Sequence, residues 1–152
     1  MSVTFRPAKL GDLPEVVRML ADDFLGTKRE RYEHPLPEQY TKAFREIEAD
    51  PNNELIVAEI GGDVVGTLQL TFTPSISFQG RTRATVESVR VDSRHRGKGI
   101  GREMMLGAIA RAKQKGCVSI QLTTNLERVD AQRFYKKLGF SGTHLGMKLP
   151  LK

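Results

Sequence analysis

The sequence contains a single cysteine, Cys117, among its 152 residues. One cysteine excludes a disulfide bond within the chain and is typical of proteins in a reducing compartment. No apolar run approaches the roughly 20 residues that a membrane-spanning helix needs, and the first segment, MSVTFRPAK, lacks the apolar core of a signal peptide. We therefore predict a cytoplasmic protein that does not enter a membrane.

Histidine is also scarce, and its distribution argues against a metal site. His34, His95 and His144 are far apart in the sequence and have no partner at the i,i+4 or CxxC spacing of zinc ligands. Cys117 follows Gly116, which ends a predicted helix, and no base stands beside it in the sequence. We expect this cysteine to be a small apolar core residue rather than a nucleophile.

The chain has an excess of positive charge. It carries 24 lysines and arginines against 18 aspartates and glutamates, which gives a formal net charge of +6. Charge of this sign suits a polyanionic ligand, and it would also suit nucleic acid. The length, the 39% hydrophobic content and the 28% charged content are those of one globular domain, which we assign to residues 1–152.

Hydrophobic periodicity predicts the element order β-α-α-β-β-β-α-β-α-β-β. Alternation indicates strands at 3–6, 55–60, 64–73, 85–91 and 119–124, and an apolar face indicates helices at 12–24, 37–47, 100–115 and 129–138. Residues 27–34 are charged and unpatterned, so we expect an exposed loop there and a longer connection at 74–83. Alternating Leu145, Met147 and Leu149 predict a final pair of short strands after Gly139-Phe140.

The most informative stretch joins the strand at 85–91 to the helix at 100–115. Its loop, residues 94–101, reads RHRGKGIG, and Arg102 follows it. Glycines let the backbone approach a ligand closely, and a helix N-terminus carries partial positive charge. The loop therefore predicts a phosphate site. It is not a P-loop, because Lys98 is followed by Gly99, and the glycine spacing 97, 99, 101 is not that of the dinucleotide fingerprint.

Two blocks together resemble one family. Arg96-x-x-Gly99-x-Gly101 after the strand is similar to the acyl-CoA-binding motif of the GCN5-related N-acetyltransferases (GNAT), and residues 130–140, DAQRFYKKLGF, resemble that family's C-terminal signature. The resemblance covers nearly the whole chain, although the first fifty residues match in pattern alone. It implies an α/β (mixed α+β) acyl-CoA N-acyltransferase fold, in which helices flank a central mixed sheet.

The resemblance also implies acetyl-CoA as cosubstrate and direct transfer of its acetyl group to a primary amine in a ternary complex. The N–H of Val89 would meet the acetyl carbonyl, and the backbone of Val91 would pair with the pantetheine arm. The full set of implied CoA-binding residues is Val89, Arg90, Val91, Arg96, Gly97, Lys98, Gly99, Ile100, Gly101, Arg102 and Asn125.

The sequence departs from the family pattern at two positions. Arg128 stands three residues before Ala131, where many members have asparagine, and the nearby Asn125 is out of register. Ser93 replaces the usual proline after the central strand, but Asp92-Ser93 also favours a turn.

Two residues are candidates for proton transfer. Tyr135 matches the tyrosine of the family signature and could protonate the departing thiolate, because a phenol pKa of about 10 is close to that of a thiol; the alternative is a packed core tyrosine. Glu87 could accept the proton of the amine, since a period of two would place Glu87 and Val89 on one face. The alternative is a structural carboxylate that pairs with Arg81 or Arg83.

Two other functions stay open at this point. A basic transcriptional regulator that binds nucleic acid is less favoured, because the basic residues concentrate at one glycine loop. The second open function is that of a sensor that binds acyl-CoA but has lost catalysis.

We expect a small-molecule or peptide amine as the acceptor and no membrane partner. A homodimer stays open. Residues 22–40 and 74–83, where the family binds its acceptor, mix both charges and favour neither an anionic nor a cationic amine.

Overall fold

The computed structural model describes residues 2–152 and contains a mixed five-stranded sheet. Its strands, in spatial as in chain order, are β1 Thr4–Pro7, β2 Asn53–Ile60, β3 Asp63–Pro74, β4 Thr82–Val91 and β5 Ser119–Leu122. Strands β1 to β4 pair antiparallel, and β5 pairs parallel to β4. The predicted mixed sheet is confirmed.

Six helical segments accompany the sheet. The longer ones are α1 Leu13–Ala21, α3 Glu38–Ala49, α5 Ile100–Gln114 and α6 Val129–Lys137, and two short turns are α2 Gly26–Arg29 and α4 Ser77–Gly80. A 3-10 turn, Leu10–Asp12, leads into α1, and another, Ser93–His95, follows β4. No helix in the part of the chain that the structure describes is long and apolar enough to span a membrane.

Helices α1 and α5 cover opposite faces of the sheet. On β2, Val57 packs with Val16 and Met19 of α1, whereas the next residue, Ala58, belongs to the cluster around Met104 and Met105 of α5. Successive side chains of a strand point to opposite faces. The two helices therefore enclose the sheet from both sides. On α5 the buried residues include Met105, which was not part of the predicted apolar stripe, whereas the predicted Leu106 is 39% exposed.

Strand β4 contains a bulge that was not predicted. Gln69 of β3 pairs with Glu87 and Thr67 pairs with Arg90, so two residues of β4, Ser88 and Val89, oppose a single residue of β3. Ser88 has a φ of 55°, which is rare for a residue with a side chain. Because Thr67 and Gln69 share a face of β3, Glu87 shares its face with Arg90. The prediction that Glu87 and Val89 face the same way is therefore wrong.

Strands β4 and β5 pair over half of β4 only. Their register runs from Arg83 opposite Ser119 to Val86 opposite Leu122. Beyond Val86, within residues 2–152, the remainder of β4 has no partner on the β5 side. The two strands thus separate where the bulge lies, and this opening leads directly into the glycine loop.

Several predicted boundaries need correction. The first helix ends at Ala21, the predicted loop at 27–34 begins inside α2, and β4 starts at Thr82, three residues early. The predicted final strands are absent: residues 138–152 contain no helix or strand. Alternation alone does not make a strand, because a strand needs a neighbour to accept its backbone hydrogen bonds.

Candidate active site

The glycine loop has the backbone geometry that the sequence predicts. Gly97 and Gly99 both have a φ of 79°, a left-handed conformation that strains any residue with a side chain. Gly99 directly precedes α5, whose first residue is Ile100. Arg96, Lys98 and Arg102 are exposed around this helix start. Free N–H groups, the helix dipole and three mobile cations fit a pyrophosphate group.

Gly101 differs from the other glycines of the loop because its backbone does not require a glycine. A Cβ atom there would lie 3.4 Å from Cζ of Phe134 and 3.5 Å from Cγ2 of Val91, which are ordinary van der Waals distances. The start of α5 therefore lies close to both β4 and α6, the helix that carries Tyr135.

A buried carboxylate anchors the loop, and the sequence analysis did not assign it this role. The side chain of Asp92 is fully buried and lies 2.7 Å from Nη2 of Arg94 and 2.6 Å from Nη2 of Arg18 in α1. Asp92 also accepts the backbone N–H of Arg94 at 3.0 Å. Hydrogen bonds from Arg94 and then Arg18 hold the pKa of Asp92 well below its usual value. The signal available in the sequence was an acidic residue between a strand and a basic loop.

Tyr135 lies in an aromatic cluster at the opening of the sheet. Its ring contacts Phe134 and Phe140 edge to face, with centroids 5.2 and 5.9 Å away. Burial raises the pKa of the Tyr135 phenol, although the charges of Arg90 and Arg128 act in the opposite direction. The side chain is therefore a protonated phenol at neutral pH, the state that a general acid requires.

Two arginines and one carboxylate lie beside Tyr135. Nη1 of Arg128 donates to Oδ2 of Asp23 at 2.6 Å, and Nε of Arg90 lies 3.5 Å from the same oxygen. Nη1 of Arg90 donates to the carbonyl of Val89 at 2.9 Å, which brings this guanidinium to the bulge itself. Burial, and next the charge of Arg128, lower the pKa of Arg90. One carboxylate cannot neutralise two guanidinium groups, so this cluster carries net positive charge.

The cluster also has hydrogen-bonding capacity that the protein does not use. Among residues 2–152, Nη2 of Arg128 is buried without a hydrogen-bond acceptor, and Nε of Arg90 is buried and makes no hydrogen bond, although Asp23 lies 3.5 Å away. Most buried polar groups in proteins are hydrogen-bonded, and leaving a charged donor without an acceptor is costly. The unpaired donors therefore mark a place for an anionic or acceptor group. The sequence analysis noted Arg128 merely as a departure from the family pattern.

The other predicted residues fall in different environments. Glu87 is exposed on the face that it shares with Arg90, and its carboxylate makes no ion pair or hydrogen bond within residues 2–152, so the alternative of a pair with Arg81 or Arg83 is not observed. The Oδ1 atom of Asn125 accepts the N–H of Glu127 at 2.9 Å. Asn125 thus shapes the turn before α6, and its contact with CoA stays a prediction.

Residues 14–140 match the model of the Acetyltransferase (GNAT) family. The chain belongs to this family. The match includes the glycine loop, the bulged strand and the helix of Tyr135, and it confirms the resemblance drawn from residues 96–101 and 130–140. Acetyl-CoA is the cosubstrate that membership of this family implies.

Two curated relatives share about a third of the aligned residues. The chain is 31% identical over 90 residues to the glucosamine 6-phosphate N-acetyltransferase of Trypanosoma brucei brucei, an alignment that covers 59% of each chain. It is 30% identical over 95 residues to the aminoalkylphosphonate N-acetyltransferase of Salmonella typhimurium, covering 62% of this chain and 61% of the relative. The chain therefore spans about three fifths of the length of these relatives.

A solved structure aligns almost end to end. The crystal structure of a transcriptional regulator from Bacillus halodurans C-125 is 56% identical in sequence, with a TM-score of 0.96 over 99% of this chain and 100% of that chain. The two proteins share the same fold.

Proposed function

We propose that this chain transfers the acetyl group of acetyl-CoA to the primary amine of a small molecule that also carries a phosphate or phosphonate group. The observation that carries the proposal is the net positive cluster of Arg90 and Arg128 beside Tyr135, with two buried donors that make no hydrogen bond among residues 2–152. The names of two relatives support it, because glucosamine 6-phosphate and aminoalkylphosphonates are both amines with a phosphorus-centred anion.

Acetyl-CoA would bind across the opening between β4 and β5. The loop from Arg96 to Arg102 would hold the pyrophosphate through backbone N–H groups and side-chain cations. The unpaired end of β4, Val89 to Val91, would add the pantetheine arm in the manner of an extra strand. The thioester would then lie at the bulge of β4.

The bulge supplies the stabilisation that the reaction needs. When the amine nitrogen attacks the thioester carbonyl carbon, negative charge develops on the carbonyl oxygen. A bulged residue is left out of the strand ladder, so the N–H of Val89 is free to donate to that oxygen. We assign Val89 this role through its backbone, while its side chain packs in the core.

Two proton transfers complete the reaction. The carbon–sulfur bond breaks as the carbon–nitrogen bond forms, and the departing thiolate takes the phenolic proton of Tyr135. The amine gives up its proton to Glu87, directly or through water, so that the products are the acetamide and free CoA. Tyr135 then recovers its proton from solvent. No covalent acetyl-enzyme forms, because the acetyl group passes directly from one substrate to the other.

The arginine cluster would select the acceptor. Glu87 and Arg90 share one face of β4, so an acceptor on this face meets a carboxylate at one end and guanidinium groups at the other. Its amine would lie toward Glu87 and its anion toward Arg90 and Arg128. Planar guanidinium groups are well suited to bind phosphate through paired hydrogen bonds.

Acceptor pairs that differ by one charged group test the proposal. We expect glucosamine 6-phosphate and 2-aminoethylphosphonate to give at least about tenfold higher kcat/KM than glucosamine and ethanolamine, because a charge-assisted hydrogen bond contributes about 1.5–3 kcal/mol. Arg128→Gln should remove this preference. Arg133→Gln is the control, since Arg133 lies on the same helix with a 71% exposed side chain. A higher kcat/KM for glucosamine and ethanolamine, or for polyamines, than for the two amines with a phosphorus-centred anion would contradict the proposed acceptor class.

Nucleic-acid binding is the second candidate function. The observation in its favour is that the 56% identical Bacillus halodurans protein is called a transcriptional regulator, together with the net charge of +6. A salt titration of DNA binding separates the two functions, because phosphate contacts to DNA weaken steeply as salt rises. Sequence-specific binding at physiological salt, without CoA release in any amine assay, would favour the regulator.

A further inference from the structure

Asp23 connects three walls of the proposed active site. It lies between α1 and α2, and its side chain is 14% exposed. Its Oδ2 atom accepts Nη1 of Arg128, the residue that directly precedes α6, at 2.6 Å. The same oxygen lies 3.5 Å from Nε of Arg90 in β4. One carboxylate oxygen therefore faces both guanidinium groups of the arginine cluster.

The second oxygen of this carboxylate holds the start of α2. Oδ1 of Asp23 accepts the N–H of Gly26 at 2.5 Å and the N–H of Leu25 at 3.1 Å. Position 26 requires a glycine, because a Cβ atom there would overlap the carbonyl oxygen of Leu20 in α1. The two oxygens of Asp23 thus have separate partners: one contacts the arginines, and the other contacts the backbone that begins α2.

Helix α2 lies close enough to the arginine cluster to act on it electrostatically. Burial and the charge of Arg128 lower the pKa of Arg90, and the charge of Arg29, the last residue of α2, lowers it further. At its other end α2 is tied to α3, because the hydroxyl of Tyr40 donates to Oε1 of Glu30 at 2.8 Å. The segment that contains α2 therefore forms a side of the cleft, and Asp23 fixes its first turn.

Asp23 leaves free a donor that an anion could use. It binds Nη1 of Arg128, whereas Nη2 of the same guanidinium group is buried and makes no hydrogen bond among residues 2–152. Because the guanidinium group is planar and rigid, holding one of its nitrogens also sets the direction of the others. An anion could therefore bind Nη2 while Asp23 stays on Nη1, and Asp23 would determine where that anion binds.

We propose that Asp23 is a positioning residue that couples binding of the acceptor's anion to the order of residues 24–31. It orients Nη2 of Arg128 toward the anion and, through its other oxygen, holds the start of α2 in place. Coupling between two sites is reciprocal, so an anion that needs this arrangement must in turn stabilise it. The inference rests on the proposed function, since it takes a phosphate or phosphonate group as the ligand of the arginine cluster.

Amide hydrogen exchange measures this coupling without any catalysis. Peptides that cover residues 24–31 are followed by mass spectrometry, with inorganic phosphate as the probe and excess CoA present, so that phosphate does not act through the glycine loop. In the unaltered protein, phosphate should slow the exchange of this segment at least about fivefold. Asp23→Asn and Arg128→Gln should each abolish the slowing. The asparagine keeps an oxygen that can accept the N–H of Gly26 but lacks the charge that holds Arg128.

Thr27→Val is the matched control for a merely structural effect. The hydroxyl of Thr27 donates to the carbonyl groups of Ala21 and Asp23, at 2.9 and 2.7 Å, so it holds the same turn without contacting the arginines. This variant should exchange faster than the unaltered protein and still be slowed by phosphate. Phosphate that leaves exchange of the unaltered protein unchanged, or that speeds it by displacing Asp23 from the arginines, would overturn the proposal. A full slowing in Asp23→Asn would overturn it as well.

Kinetics separate this inference from the proposed acceptor class. The ratio of kcat/KM for 2-aminoethylphosphonate to that for ethanolamine should fall from at least about tenfold to near one in Asp23→Asn, mainly through a higher KM for the phosphonate, and Thr27→Val should keep the ratio. An unchanged ratio in Asp23→Asn would refute the role of Asp23 and leave the acceptor class intact. If phosphate slows exchange but the unaltered protein does not prefer the phosphonate, the acceptor class is wrong and Asp23 keeps its positioning role.

Discussion

The guanidinium group of Arg18 in α1 lies 2.6 Å from the buried carboxylate of Asp92 at the end of β4. These residues are 74 positions apart in the chain. Their contact connects the helix on one face of the sheet to the turn that starts the glycine loop. Because Asp92 also accepts three hydrogen bonds from Arg94, a single carboxylate determines how this loop leaves β4.

Replacing this carboxylate should cost stability in a pH-dependent way. Asp92→Asn should lower the free energy of unfolding by about 3 kcal/mol at pH 7, since it leaves Arg18 without its buried partner. The pKa of Asp92 is lowered in the folded protein, so its contribution is fully present above the unfolded value of about 4. It is lost as the pH falls through the folded value.

Denaturant unfolding between pH 7 and pH 2 measures this effect. The free energy of unfolding should differ between the unaltered protein and Asp92→Asn by a constant amount down to about pH 5, and this difference should shrink below pH 4. Asp130→Asn is the control, because Asp130 is 98% exposed and should change stability little at any pH. A difference that stays the same down to pH 2 would show that the charge of Asp92 is not what stabilises the loop.

The glycine loop gives a prediction about cosubstrate binding. Gly99→Glu should abolish binding of CoA, because it places a side chain and a negative charge where the backbone must approach phosphate. Gly116→Glu is a matched control for backbone strain, since Gly116 has a φ of 73° just after the C-terminal end of α5, the end of this helix opposite to the loop. Calorimetry should show lost CoA affinity in the first variant and normal affinity in the second. Unchanged affinity in a folded Gly99→Glu protein would refute the loop as the CoA site.

The role of Glu87 is tested by the pH dependence of the rate. If Glu87 accepts the proton of the amine, Glu87→Gln should lower kcat and remove the acidic limb of the pH–rate profile, while the affinity for CoA stays the same. Glu127→Gln is the control, because Glu127 is exposed and follows β5 in the chain, and this variant should leave the pH–rate profile unchanged. An unaltered acidic limb in Glu87→Gln would show that another group, or water, takes the proton.

The glycine loop, with the strand before it and the helix after it, was predictable from sequence because the patterns that indicate these elements lie close together in the chain. An alternating strand, three glycines among basic residues and a helix with an apolar stripe occur within about thirty residues, and residues 96–102 lie where the pattern predicted. Tyr135 was identified as a candidate in the same way, from the eleven consecutive residues 130–140. Short-range patterns of this kind need no knowledge of the rest of the fold.

The remaining features depend on pairing between distant segments. The bulge at Ser88 is seen in the register of β3 against β4. Its trace in the sequence is the pair of successive polar residues Glu87 and Ser88 between Val86 and Val89, which breaks the alternation by one residue. The ion pair of Arg128 with Asp23 joins residues 105 positions apart. The C-terminal tail, residues 139–152, has a strand pattern, but the single chain provides no neighbour with which it pairs, so the pattern predicted a strand that this structure does not form.

The central claim is that the site catalyses acetyl transfer rather than merely binding CoA, and Tyr135→Phe tests it most directly. Steady-state release of CoA should fall roughly a hundredfold or more for Tyr135→Phe. Its melting temperature and CoA affinity should hardly change, since the Phe134 and Phe140 contacts remain and one hydrogen bond contributes about 1 kcal/mol. If the variant keeps full turnover, or loses activity and stability together, the hydroxyl of Tyr135 is not the general acid and the catalytic account is wrong.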